Sequence, residues 1–336
     1  MIPRTGSLCQ TPSWQEAMAN AITTPEELID YLELDRSLLP AARAAALRFG
    51  LRVPREFADR MQRGNPQDPL LLQVLPMGAE LELRPGFVLD PVGDLAATPA
   101  AGVVHKYHGR ALLITTAACA LHCRYCFRRY FPYQEASAHL DRWQSALDYL
   151  GRDTSIKEVI LSGGDPMMIA DGRLAELFRA LEAIPHLTRL RIHTRMPIIV
   201  PQRITEEMVG ELSRLRLKTV VVVHCNHARE LTQKVCQALK KLEVNGVRLL
   251  NQSVLLKRVN DELETQVQLC EALFDARVLP YYLHLLDPVQ GAAHFDVSQK
   301  EARLLYQQLQ QRLPGYLLPR LVYEKAGEAS KTLVTL

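Results

Sequence analysis

Residues 119–126 read Cys119-Ala120-Leu121-His122-Cys123-Arg124-Tyr125-Cys126, three thiols in a short run with the spacing CxxxCxxC. Three is the informative number. A closed structural zinc or an ordinary iron–sulfur cluster takes four protein ligands, whereas a site that does chemistry keeps one coordination position open for an exogenous group. The other cysteines, Cys9, Cys225, Cys236 and Cys270, are remote in sequence and form no second close pair. A zinc knuckle short of one ligand and unrelated core cysteines are the competing readings, but three thiols in so short a loop rarely pack as plain hydrophobes.

The chain around this loop has 336 residues, 48% of them hydrophobic, enough for one large α/β barrel or two ordinary domains. No apolar run approaches the ~20 residues that span a bilayer, and residues 1–20 lack the apolar core and cleavage site of a secretory signal. A cytoplasmic, reducing setting with no membrane partner is the expectation, with cysteines used as metal ligands rather than as disulfides. The formal charge of +3 announces no nucleic-acid surface. Arg124, Arg128 and Arg129 cluster beside the thiols, an arrangement expected to suit an anionic small molecule better than a long polyanion.

Residues 1–95 read as a small helical domain with its connector. Thr24-Pro25-Glu26-Glu27 is a capped helix start, and Gly64-Asn65-Pro66 is a stop. The stretch from Pro66 to Ala101, rich in proline and glycine, reads as an irregular or short-strand connector. Residues 96–336 show short β-branched or leucine-rich runs alternating with helical patterns, the signature of βα units on a parallel sheet. The expected strands are Ala111–Thr116, Lys157–Leu161, Arg189–His193, Thr219–Val223, Val247–Asn251 and Val278–His284. Helices are expected near 139–150, 171–183, 204–215, 228–243, 261–275 and 298–312. Six units imply a partial parallel (β/α)6 barrel.

Chemistry-bearing residues follow each expected strand. The first runs into the thiols, the second into Ser162-Gly163-Gly164-Asp165, the third into Thr194-Arg195 and the fourth into His224-Cys225-Asn226-His227. The fifth carries Gln252, and Asp287 follows the sixth. Active sites of parallel α/β barrels are built at the C-terminal ends of the strands, so these groups are expected to share one mouth. Gly163-Gly164 permits close backbone approach to a ligand because no Cβ intervenes, although a tight βα turn would explain the pair equally well. His224, Cys225 and His227 lack a nameable further metal ligand and read as polar lining of the mouth.

The cysteine spacing, with Tyr125 before the third thiol, resembles the cluster loop of radical S-adenosylmethionine (SAM) enzymes. The resemblance narrows with Tyr125-Cys126-Phe127-Arg128-Arg129, Leu161-Ser162-Gly163-Gly164-Asp165-Pro166, the run from Met196 to Thr205 and the run from Asn251 to Asp261. Together these are similar to the lysine 2,3-aminomutase family over nearly the whole chain from Pro66 onward. That resemblance implies a [4Fe–4S] cluster on Cys119, Cys123 and Cys126, whose fourth iron takes the amino and carboxylate groups of SAM. It places Gly163, Gly164, Asp165 and Gln252 at SAM, although a capped strand end remains an equal reading of Gln252.

The same resemblance implies pyridoxal 5′-phosphate (PLP) carried on Lys331, a residue that would otherwise read as an ordinary solvated side chain. It puts the phosphate at Lys106, Tyr107 and Arg110, a segment that alone would read as a solvated turn. Arg128 matches the clamp on the substrate's carboxylate, to which a planar guanidinium offers two parallel hydrogen bonds. Asp287 and Glu324 match the acids that hold the ε-ammonium of L-lysine, the second being aspartate in most of the family. Two carboxylates around one ammonium favour lysine because a neutral or acidic side chain would leave them buried and unpaired. The ending soon after Lys331 resembles the short branch that makes (R)-β-lysine for elongation factor P and its lysyl-ligase. A metabolic aminomutase and, from another class, a non-catalytic metal-binding barrel or a zinc-containing RNA-binding protein are the alternatives; oligomeric state is left open.

Overall fold

In the computed structural model, which describes residues 13–133 and 140–335, nine strands form one sheet in simple chain order. They are β1 (Val103–Tyr107), β2 (Arg110–Thr116), β3 (Glu158–Gly163), β4 (Arg189–Thr194), β5 (Lys218–Val223), β6 (Arg248–Val254), β7 (Leu279–His284), β8 (Arg320–Tyr323) and β9 (Thr332–Leu333). Strands β2 to β8 are parallel neighbours, while β1 and β9 pair antiparallel at the two edges. The six expected strands are β2 to β7, and the βα alternation between them is as read. Three strands escaped the sequence. β1 was hidden in the polar run His105–Arg110, which is a hairpin turning at Gly109 with φ of 74°. β8 is short, and β9 pairs only Thr332 and Leu333. Cys9 and residue 139 lie outside the described residues.

The strands separate their two faces by the period of two that a pleated strand imposes. Val159 and Leu161, Leu190 and Ile192, and Val221 and Val223 enter the apolar core on one face. Their alternates Ile160 and Ser162, and Arg191 and His193, line a cavity on the other. Helices close the apolar face. The helix Asp171–Glu182 buries Leu174, Leu177, Phe178 and Leu181, one stripe at helical spacing. Gln233–Val244 starts at Thr232, whose hydroxyl accepts the Val235 N–H, and buries Val235, Leu239 and Leu242. Each such leucine contributes about 2 kcal/mol on burial, so Leu177→Ala would cost roughly 2–5 kcal/mol.

Thr24 caps the helix Pro25–Tyr31 by accepting the Glu27 N–H, as its sequence implies. The N-terminal helices do not build a separate core: Trp14, Ile22, Leu28 and Phe57 join the cluster that holds Val103, Leu161 and Val223. The connector then fixes the thiol loop through charge. Glu80 in the connector receives Arg124 at 2.6 and 2.8 Å and Arg129 at 2.7 Å, all three side chains being buried. Arg124 also donates to the carbonyls of Phe49 and Gly50, and Arg129 to that of Gly291. This corrects the expectation of one basic patch for an anion: two of its three arginines hold the loop in place, and only Arg128 lines the cavity. No described helix is long and apolar enough to cross a membrane.

Candidate active site

A cavity of about 380 Å³ lies at the C-terminal ends of the parallel strands. All fourteen site residues expected from the sequence border it: the three cysteines, Lys106, Tyr107 and Arg110, Gly163 to Asp165, Arg128, Gln252, Asp287, Glu324 and Lys331. Residues as far apart in sequence as Lys106 and Lys331 are gathered there because each strand delivers its terminal residues to the same rim.

The thiols of Cys119, Cys123 and Cys126 form one wall. Burial drives the Cys119 thiol well up from its usual range, and the neighbouring Cys126, Asp165 and Cys123 add to this. Burial and Cys123 push Cys126 to about 11. Thiols raised as Cys119 and Cys126 are ionise readily only around a cation. Among the described residues no three His, Cys, Asp or Glu groups are gathered for a single metal ion. Three soft sulfur donors lining one cavity are a donor set that fits an iron–sulfur cluster. Cys123 Sγ also accepts from Arg195 Nη1 at 2.9 Å, and Glu230 holds that guanidinium at 2.8 Å.

Gly163 and Gly164 serve this wall by packing. A Cβ on Gly163 would lie 2.8 Å from the Thr116 carbonyl oxygen, and one on Gly164 would lie 2.4 Å from that of Ala118. The backbone entering the thiol loop takes the space a Cβ would need, and the Gly164 and Asp165 N–H groups bind it at 2.7 and 2.8 Å, while both glycines still border the cavity. Asp165 is likewise committed to protein. Its oxygens accept from the Thr194 hydroxyl and from the Met167, Arg195 and Met196 N–H groups. It ties the ends of β3 and β4 together behind the thiols.

The cavity lining also carries an alternating row of charges. Arg128 Nε donates to Asp94 Oδ2 at 2.7 Å, and Lys106 Nζ sits 2.5 Å from Asp94 Oδ1. Lys106 also donates to Glu324 Oε1 at 2.9 Å, and Lys331 Nζ donates to Glu324 Oε2 at 2.7 Å. Burial pushes the Glu324 carboxyl up, but Lys331 and Lys106 outweigh it and hold the group at about 2. Tyr107 is raised by burial and by Glu324, and Arg110 stacks over its ring at 4.7 Å. Asp94, from the proline-rich connector, is the residue here that the sequence did not disclose.

Asp287 differs from Glu324. Its Oδ1 is buried with no hydrogen-bond partner among the described residues, and burial raises the carboxyl to about 7 despite Lys331 nearby. His193 and His284 also line the cavity with unpartnered, buried Nε2 atoms. Burial first, then surrounding cations including Lys331, keep both imidazoles neutral. Unpartnered buried polar atoms of both kinds are unfavourable without a ligand, and Lys331, Arg110 and Arg191 supply cations around them. This set fits a phosphorylated pyridine attached at Lys331 together with an ammonium-bearing substrate. His224 lines the cavity with Nε2 3.0 Å from the Tyr125 hydroxyl, whereas His227 caps a single turn by accepting the Arg229 N–H. The reading of this segment as lining rather than metal site agrees with that arrangement for His224.

The radical SAM superfamily model matches residues 113–269. The L-lysine 2,3-aminomutase of Escherichia coli (strain K12) is 50% identical over 96% of this chain and 95% of its own length. That of Haemophilus influenzae is 46% identical over 99% of this chain and 98% of its own. The L-lysine 2,3-aminomutase of Clostridium subterminale is 32% identical over 96% of this chain and 77% of its own length.

Proposed function

From the premise that the chain belongs to the L-lysine 2,3-aminomutase family of radical SAM enzymes, we propose that its cavity moves the α-amino group of L-lysine to the β-carbon. The observation that carries this is the convergence on one cavity of three thiols, Lys331, Arg128 and the unpartnered carboxylate of Asp287. Cys119, Cys123 and Cys126 would hold the cluster with SAM against Gly163, Gly164 and Gln252, and Lys331 would hold PLP with its phosphate near Lys106, Tyr107 and Arg110. When bound, SAM at a reduced cluster supplies a hydrogen-abstracting radical, and PLP supplies a ring over which an unpaired electron spreads.

The chain's own residues select and hold the substrate. Arg128 grips the carboxylate through N–H groups not committed to Asp94 and Ser162. Asp287 receives the ε-ammonium, which returns a negative charge to a carboxyl that burial would otherwise keep half-protonated near neutral pH. Glu324 becomes the second acid when Lys331 engages the cofactor, because the ammonium now on Oε2 is then withdrawn. Asp165 contributes through the loop it ties rather than by touching SAM. His193 and His284, kept neutral by burial, supply hydrogen bonds to cofactor or substrate without adding charge.

The finer reading is that the product is (R)-β-lysine, used through a lysyl-ligase on elongation factor P in the cytoplasm. Its support is the higher identity, 50% and 46% over nearly their whole length, to the Escherichia coli and Haemophilus influenzae relatives than to the Clostridium subterminale one, at 32%. Anaerobic incubation with SAM, reductant and L-lysine, followed by chiral chromatography, should give β-lysine. Fully loaded protein that yields none overturns the proposal, and the S enantiomer overturns the finer reading.

A further inference from the structure

We propose that Asp94 is the positioning residue for the carboxylate clamp, setting how Arg128 presents its guanidinium to the substrate; this rests on the reading of Arg128 as that clamp. Asp94 lies on the irregular connector, far in sequence from the thiol loop, yet its side chain is only 3% exposed and borders the cavity. Its own segment is braced. The Asp94 and Leu95 N–H groups donate to Asp90 at 3.0 and 3.1 Å, and the Thr98 hydroxyl donates to the Asp94 carbonyl at 2.8 Å.

The carboxylate divides its two oxygens between two cations. Oδ2 takes Arg128 Nε at 2.7 Å and Oδ1 takes Lys106 at 2.5 Å. Ser162 Oγ accepts from Arg128 Nη1 at 3.1 Å. A guanidinium has five N–H donors in a fixed plane. The two contacts therefore fix that plane and leave the remaining donors for a ligand. They also set the charge: Asp94 and Glu324 stand against Arg128, Lys106 and Lys331, which leaves the row net positive for an incoming carboxylate. A second anion placed against Arg128 alone would have cancelled the attraction. Lys106 continues through Glu324 to Lys331, so the clamp and the cofactor lysine are set by one row of alternating charges.

The test compares L-lysine with 1,5-diaminopentane, which is lysine without the carboxylate, by calorimetric titration of PLP-loaded protein. Asp94→Asn should weaken lysine about tenfold, as misplacement of a positioning group does, and leave diaminopentane within about twofold. Equal loss of both ligands, or loss of neither, overturns the inference. Arg128→Gln reports separately on the clamp: if it shows no lysine-selective loss, the reading of Arg128 fails. If it does show one while Asp94→Asn does not, only the role of Asp94 fails. Asp94→Glu keeps the buried pairing and covers an asparagine variant that does not fold. It should lose a smaller factor for lysine, with diaminopentane unaffected, and parallel loss of both overturns the inference as well.

Discussion

Replacing Lys331 by methionine, which keeps most of the volume and removes the charge, should open an ammonium site in the cofactor-free protein. Lys331 and the substrate carry the same chemical group, and in this structure the chain's own ammonium holds Glu324 at 2.7 Å. The strength of that hold follows from the carboxyl itself, which lies at about 2 where an ordinary glutamate lies at 4.5. At 1.36 kcal/mol per tenfold change in acidity, its two ammonium partners outweigh burial by roughly 3 kcal/mol. Lys106 stays in the variant, so about half of this, roughly 1.5 kcal/mol, is the share a free ammonium recovers when Lys331 is gone. Lysine should then bind the cofactor-free variant about tenfold more tightly than the cofactor-free parent. Norleucine, which has no ε-ammonium, should bind both alike. Calorimetry under matched salt measures the difference. Equal lysine affinities, or a norleucine gain as large as that of lysine, would refute the competition between Lys331 and substrate.

Glu80→Gln should destabilise the protein by roughly 3–5 kcal/mol, because it leaves Arg124 and Arg129 buried beside a neutral amide; thermal unfolding that matches the parent contradicts this. Gly164→Ala should lose iron–sulfur loading, since its Cβ would meet the Ala118 carbonyl oxygen at 2.4 Å and shift the thiol loop, and iron and sulfide analysis reads it directly. Lysine affinity should rise with pH up to about 7 and then level off, because bound ammonium requires the charged form of Asp287. One unit below that value the affinity should be about tenfold lower, with close to one proton released per lysine bound; titrations in buffers of different ionisation enthalpy count that proton. The stability signs of the two acids oppose one another. Glu324 adds stability above pH 4.5 that is lost as pH falls toward 2, while the raised Asp287 removes stability as pH climbs from 3.8 to about 7.

Residues that act by type and spacing were legible in the sequence. The thiol loop, the six βα units and the polar groups after each strand all follow local rules, and the structure brings the fourteen named residues to one cavity. What stayed hidden depends on partners far apart along the chain. Nothing local marks Asp94 or Glu80 among the prolines of the connector, since each acquires its meaning from an arginine in the thiol loop. The same remoteness makes Arg124 and Arg129 read as ligand cations in the sequence, although their partner is the buried Glu80. Gly163-Gly164 reads as a close approach in the sequence, and the backbone that approaches where a Cβ would project belongs to the chain itself. His193 and His284 gave no signal because a histidine on a strand reads alike whether its ring is satisfied or left open to a cavity.

The most direct test of the central claim follows the nitrogen. Protein loaded with iron, sulfide and PLP is incubated anaerobically with SAM, reductant and L-lysine labelled with ¹⁵N at the α-amino group, and the product is read by NMR. The account predicts β-lysine with the label on the β-carbon. Lysine returned unchanged, or label appearing in free ammonia, would contradict it.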